Sequence, residues 1–310
     1  MKNSIDELKA IYNNTLIPEE LDLVVKKAIK KGEITMRKQK RKTGYFKIVG
    51  SFVAALFLFV VAVNASPAFA NSVKLLPGGE AIVRLLSFFG DTAAGGKITD
   101  GQDIKDVAVE QKPEYETLTV ELYQGTEAAV TAGHFTVTRK THPYSIEVGL
   151  AGVRAFSAAS AFPDLTGMKL FDNIYRLITL DDSAHRFVVT FKKPVLVEVS
   201  EQKNPARIII KVREDNAAAP LAPMYSLRTA SFPFGEVVGV AENILTSELN
   251  SENARLIMDR SGRYLAEEGL YLTKAEAEAR KAEIKQYEHF TYEMHIEKRE
   301  PGAVPELIAE

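Results

Sequence analysis

The sequence predicts an α+β protein: short N-terminal helices and one membrane-spanning helix, then a β-rich domain and a C-terminal unit of order β-α-β-β-α-β. Three observations predict it. An uncharged run from Ile48 to Ser72 separates a basic N-terminal arm from everything after it. Period-two alternation of apolar and polar residues fills the middle of the chain. Beyond an Ala/Pro stretch at 216–223 the pattern switches between strand and helix periods.

Composition sets the outer bounds. Apolar residues make up 46% and charged residues 26% of 310, enough for two or three units with cores. Residues 1–70 hold 12 Lys/Arg against 6 Asp/Glu; from chain totals of 39 and 41, residues 71–310 hold 27 and 35, a balance of −8. The two sides of the apolar run therefore suit different surroundings. With no cysteine, a disulfide framework, a Cys-ligated zinc and a thiol nucleophile are excluded. No cofactor is expected.

The arm, 1–47, carries "IPEELDLVVKKAIKKG". Pro18 suits the first helical position, Glu19, Glu20 and Asp22 the positive helix end, and Lys26 to Lys31 the negative end before Gly32. Leu21, Val24, Val25, Ala28 and Ile29 fall on one face, and Ile5, Leu8, Ile11 and Tyr12 form a second short stripe. Two helices of this size bury too little to make a core together, so they need a partner surface. Anionic lipid would account for the lysines. A protein partner would also account for Ile5, Leu8 and Ile11. No nucleic-acid-reading motif is present, so a nucleic-acid partner is not expected.

About 20 apolar residues span a bilayer core, and 48–67 supplies them, including "FVAALFLFVVAV". Arg37, Lys38, Lys40, Arg41, Lys42 and Lys47 precede the run, whereas isolated Lys74 and Arg84 follow it. That asymmetry places the N-terminus in the cytoplasm and the rest outside: a single-pass, type II arrangement at the cell membrane. "AFA" before Asn71 carries small residues at Ala68 and Ala70, as signal peptidase prefers. A cleavable signal has a short leader and a 7–15-residue apolar core, and here about 47 residues lead a longer run. The anchor reading and a cut after Ala70 both stand.

The "IPEELD" helix, the basic stretch, the spanning run and "NASPAFANSVKLLPGGEAIVRLLSF" resemble the membrane-spanning anti-sigma factors of Gram-positive bacteria, of the extracytoplasmic-function class. The resemblance covers about residues 1–90. It implies that the cytoplasmic helices hold a sigma factor through Leu21, Val24, Val25, Ala28 and Ile29. It implies also that proteolysis at Ala68, Ala70 and Asn71, by signal peptidase and then an intramembrane protease, releases that factor. The zinc-binding His/Cys motif of many such proteins is missing.

Residues 68–103 read as a short amphipathic helix, "LLPGGEAIVRLLSFFG", ending at Gly90, followed by a Gly/Asp-rich linker. The β-rich domain is expected over 104–215, with strands in "YETLTVELYQ", "AAVTAGHFTVTRK", "YSIEVGL", "HRFVVTFKK", "VLVEVSE" and "ARIIIKVRE". Their alternation predicts antiparallel sheet with one buried face. The last three together are similar in pattern to cell-wall-targeting AMIN-type strands. "DDSAHR" at 181–186 reads either as a solvated turn, with Asp181 or Ser183 bonding the backbone, or as an acid and His cluster for metal or proton transfer. The five histidines lack ligand spacing, with His289 expected at a helix end and His295 in a strand, and no nucleophile, phosphate-loop or dinucleotide motif appears. Catalysis is not expected.

After the linker at 216–223, "MYSLRTASF" reads as strand and "GEVVGVAENILTSEL" as helix, with Val237, Val240, Ala241, Ile244 and Leu245 on one face. "ARLIMDRSGRYLAEEGLY" reads as a hairpin around Ser261-Gly262. Thr273 and Glu276 have capping-box spacing for the next helix, and "TYEMHIEKRE" closes as a strand. Residues 299–310 form a tail. The order over 224–298 is the split arrangement that sets two helices on one face of four strands.

"YSLRTASF" and "GRYLAEEGLYLTKAEAEARKAEI" resemble the SPOR domain, a module that binds peptidoglycan stripped of its stem peptides. The resemblance implies a sheet face on the glycan strand, with Tyr225, Arg228, Arg263 and Tyr264 as its candidates. Aromatic rings stack on sugars and Arg bonds their oxygens; packing of the sheet would equally account for Tyr225 and Tyr264. The Gln usual in the family's opening strand is replaced by Leu227 or Arg228. The expected whole is an envelope-sensing anti-sigma factor; the alternative is a membrane-anchored peptidoglycan-binding or structural protein without sigma-factor control.

Overall fold

Alternation in the middle of the chain produces strands whose inward residues fill a sandwich core. The computed structural model describes residues 83–309, all within one unit, Asn71–Glu310. The chain runs β1 (Val83–Leu86), β2 (Phe88–Phe89), β3 (Thr92–Gly95), β4 (Gln102–Gln111), β5 (Glu116–Gln124), β6 (Glu127–Ala128), β7 (Phe135–Lys140), β8 (Ser145–Ala151) and β9 (Val153–Ala155). A 3-10 turn at Ser157–Ser160 leads to β10 (Phe171–Leu177), β11 (Ala184–Phe191), β12 (Val195–Gln202) and β13 (Arg207–Glu214). The C-terminal unit is β14 (Met224–Thr229), α1 (Glu236–Ser247), β15 (Arg255–Met258), β16 (Tyr264–Tyr271), α2 (Lys274–Ile284) and β17 (Met294–Arg299). The described region is thus β-rich with two short helices. Among its residues no helix is long and apolar enough to cross a membrane.

Two sheets make the sandwich. The first has the order β1-β12-β13-β5-β4-β9, with β6 on β5, and the second β10-β11-β8-β7-β3-β2. Leu118, Val120 and Leu122 of β5 alternate with half-buried polar residues, and Ile208, Ile210 and Val212 of β13 with half-buried Arg207, Ile209 and Lys211. They meet Phe135, Val137, Ile146, Val148, Phe187 and Val189 from the second sheet in one apolar cluster. Each such side chain contributes roughly 1.5–3 kcal/mol by leaving water.

Two sequence expectations are corrected here. The helix expected to end at Gly90 is, over its described residues, the strands β1 and β2. A free edge of β12 accepts β1 in antiparallel register, Val83 to Gln202 through Leu86 to Val199, and a short isolated helix has no comparable partner. The linker expected up to residue 103 contributes β3 to the second sheet and the start of β4 to the first, so the sandwich begins well before residue 104.

The third sheet has the order β15-β16-β14-β17, all antiparallel. Both helices pack on the face that carries Leu227, Leu256, Tyr264 and Ala266. The buried face of α1 is Val238, Ala241 and Leu245, while Val237 is exposed. The face is rotated from the expected one because Gly239 lets the helix approach the sandwich: a Cβ there would lie 2.9 Å from Ile178 Cγ2. At α2 the capping box forms in full, Thr273 Oγ1 accepting from Glu276 N–H and Glu276 accepting from Thr273 N–H.

The linker at 216–223 does not leave the two units separate. Tyr175, Leu177 and Val188 of the second sheet share one apolar cluster with Leu227, Val238 and Tyr264. Arg186 of β11 donates to Glu242 of α1 at 2.5 Å and to Glu147 at 3.3 Å. The expected single buried face of "HRFVVTF" is therefore incomplete: Phe187 and Val189 face the sandwich core and Val188 the C-terminal unit.

Candidate functional site

The residues singled out for sigma-factor contact, Leu21, Val24, Val25, Ala28 and Ile29, lie outside the described residues, as do Ala68, Ala70 and Asn71. The glycan candidates lie within them. Successive strand residues point to opposite faces, and that rule divides the four.

Tyr264 belongs to the apolar cluster under the helices and is 6% exposed. Its ring meets Tyr175 edge-on at 6.0 Å and Phe234 at 5.3 Å. As a ring for sugar stacking it is corrected to a core residue, buried by docking of the sandwich. Tyr225, half-buried, shares the parity of Leu227 and so the helix-covered face.

The two arginines belong to the other side. Arg228 has no exposed surface; its Nη2 donates to the Glu306 carbonyl at 2.6 Å, and its Nε lies 3.2 Å from Glu297 Oε2. Burial pulls its pKa below the ordinary arginine value, against the opposing pull of Glu297. Arg263, half-buried, donates through Nε to the Ser231 carbonyl at 2.9 Å. Its amide joins those of the Asp259 turn: Asp259 Oδ1 accepts from Ser261 N at 2.8 Å and Arg263 N at 3.0 Å. The four candidates therefore do not form one open surface.

Beside Arg228 lies a charge cluster that period counting does not find. Glu267 accepts from Arg255 Nε at 2.7 Å, from Arg299 Nη1 at 2.5 Å and from Ser226 Oγ at 2.6 Å. Burial pushes its carboxyl pKa up, but the charges of Arg255 and Arg299 with the Ser226 hydroxyl outweigh that and hold it below the ordinary value. Arg255 and Arg299 each donate further to the His142 carbonyl at 2.9 Å, and Arg255 to that of Thr141 at 3.1 Å. His142 Nε2 lies 3.0 Å from the Ala222 carbonyl, which fastens the linker to the same loop. The readable signal was "AEEGL": two acids inside an otherwise apolar strand need buried cations.

A cleft of about 310 Å³ opens beside this cluster, lined by Asp91, Arg139, Lys140, Asn253, Arg255 and Glu267 among others. A neighbouring cleft of about 370 Å³ shares Arg139 and Lys140 and runs to Val195 and Leu221. "DDSAHR" is a turn at its start: Asp181 Oδ1 accepts from Ser183 N at 2.8 Å and Oγ at 2.7 Å, and Asp182 pairs with Arg154. His185 lies on β11 against Phe156. Among the described residues no group of three His, Asp or Glu side chains is placed to hold a metal. The groups that converge offer guanidinium donors and carbonyl or carboxylate acceptors, the chemistry of binding an oxygen-rich ligand. Comparison with protein-family models, with curated proteins and with solved structures gives no match.

Proposed function

We propose that this chain is a single-pass membrane anti-sigma factor: the N-terminal helices sequester a sigma factor in the cytoplasm, and the outer region senses the cell envelope. Regulated proteolysis near Ala70, then within the membrane, releases the factor. One observation carries the reading: a basic arm with an apolar face at Leu21, Val24, Val25, Ala28 and Ile29 directly precedes the uncharged run Ile48–Ser72. Docking of the sandwich to the C-terminal unit through Tyr175, Arg186, Arg255 and Arg299 supports a sensing body that responds as one piece.

The test is co-purification of the full chain from its native membranes, beside a Val25→Asp chain. A charge in the middle of the apolar face removes the contact, so a sigma factor should accompany the native chain alone. Equal recovery of that factor with both chains, or with neither, sinks the proposal. The βαββαβ order favours the second reading, a membrane-anchored peptidoglycan-binding protein without sigma-factor control. Wall binding by a chain that retains no sigma factor would support it.

A further inference from the structure

The face of the third sheet away from the helices is covered by residues 303–309. After Arg299 the chain turns at Gly302, whose φ of +75° favours glycine, and residues 303–309 cross back over Arg228. The crossing segment is held by scattered bonds. Arg260 N donates to Pro305 O at 3.1 Å, Glu306 N to Glu297 Oε1 at 3.0 Å, and Ser231 N to Ile308 O at 2.8 Å. Ile308 N donates to Ser231 Oγ at 3.4 Å, and Arg260 Nε pairs with Glu306 at 2.9 Å.

None of these bonds belongs to a strand ladder, and Leu307 is 50% exposed. Each contributes only about 0.5–1.5 kcal/mol net. The covered face is also incompletely satisfied. Arg228 Nη1 is buried without a hydrogen-bond partner, a costly state for a charged group. A ligand carrying several hydroxyl and carbonyl oxygens would satisfy the Nη1 group that the Glu306 carbonyl and the Glu297 carboxylate leave without a hydrogen bond.

We propose that residues 301–309 are a displaceable strap: in cis they fill the groove over Arg228, Ser231 and Glu297, and a glycan strand enters that groove only when the strap leaves. The proposal rests on the peptidoglycan-binding reading and adds its regulation. A groove closed about nine-tenths of the time weakens apparent affinity about tenfold.

The test uses the full chain in detergent micelles and purified peptidoglycan glycan strands stripped of stem peptides. Removal of residues 301–310 should tighten binding about tenfold, provided that thermal melting shows the variant folded. A second variant, Ser231→Cys with Ile308→Cys, exploits the lack of native cysteine. Oxidation should lock the strap and abolish binding, and reductant should restore it. Equal binding by the oxidised and reduced forms overturns the strap and leaves the glycan reading intact. Absence of binding by every form, the reduced double variant included, overturns both.

Discussion

Arg299 on β17 and Glu267 on β16 meet across the intervening strand β14 at 2.5 Å, each with 1% of its side chain exposed. Ser226 of β14 lies between them, donating to Glu267 at 2.6 Å and accepting from Arg299 at 2.9 Å. Arg255 completes the cluster from β15. Four strands are thus tied by one carboxylate, and the same arginines reach the His142 loop of the sandwich.

Replacement of that carboxylate leaves buried Arg255 without its carboxylate partner and Arg299 with Glu297 alone, at 3.0 Å. Breaking a buried ion pair from one side costs about 3–5 kcal/mol. Glu267→Leu should lower the free energy of unfolding by that amount in urea titrations at neutral pH. A change below about 1 kcal/mol would show that water compensates the arginines.

Acid should act on the same group. The depressed pKa of Glu267 contributes stability that is present above the ordinary carboxyl value of 4.5 and is lost as pH falls through the lower folded value. Urea unfolding from pH 7 downward should therefore show a decline that begins below about 4.5. In Glu267→Gln that decline should be shallower, and identical slopes would contradict the assignment.

Docking of the sandwich and the C-terminal unit depends on Tyr175 and on the close approach at Gly239. Tyr175→Ala opens a cavity between them and should cost about 3–5 kcal/mol. Gly239→Val drives its side chain into Ile178 and should cost about 1–3 kcal/mol, even though glycine is a poor helix former. In both variants limited proteolysis should reach the linker at 216–223 sooner than in the native chain.

Within the sandwich, buried Glu116 accepts the amides of Lys169, Leu170 and Phe171 at 2.5, 3.0 and 3.0 Å. Loss of that acceptor strands the entry to β10. Glu116→Ala should destabilise by about 3 kcal/mol, and Glu116→Gln by less because one amide oxygen still accepts. Hydrogen exchange of these three amides reads the effect directly.

The cap of α2 offers a smaller, local test. Thr273→Ala should cost about 1 kcal/mol. Combined with Glu276→Ala the two losses should differ from their sum, since both residues serve one capping box. Thermal melting of the single and double variants measures the difference.

Local pattern accounts for what was legible in the described region. The strands of "YETLTVELYQ", "YSIEVGL" and "ARIIIKVRE" were legible because every second residue is apolar. The hairpin at Ser261-Gly262 and the box at Thr273 were legible because turn and cap chemistry is written in adjacent residues. Strands β4 and β10 escaped for matching reasons. "QDIKDVAVEQ" breaks its alternation at a register shift between Ile104 and Asp106, and "FDNIYRL" sends Ile174 and Tyr175 to different cores.

The sequence by itself determined the periods, the turns, the βαββαβ order and the contrast between a basic arm and an acidic remainder. Only the tertiary structure decided that β1 is a strand, that Tyr264 is core, that Arg228 lies beneath residues 303–309, and that the sandwich and the C-terminal unit are docked. The physical reason is reach. Periodicity and capping act over a few residues, whereas Arg299 meets the His142 carbonyl from 157 residues away and Arg228 meets that of Glu306 from 78. Burial at such distances is settled by which surfaces find one another, and no local pattern encodes that choice.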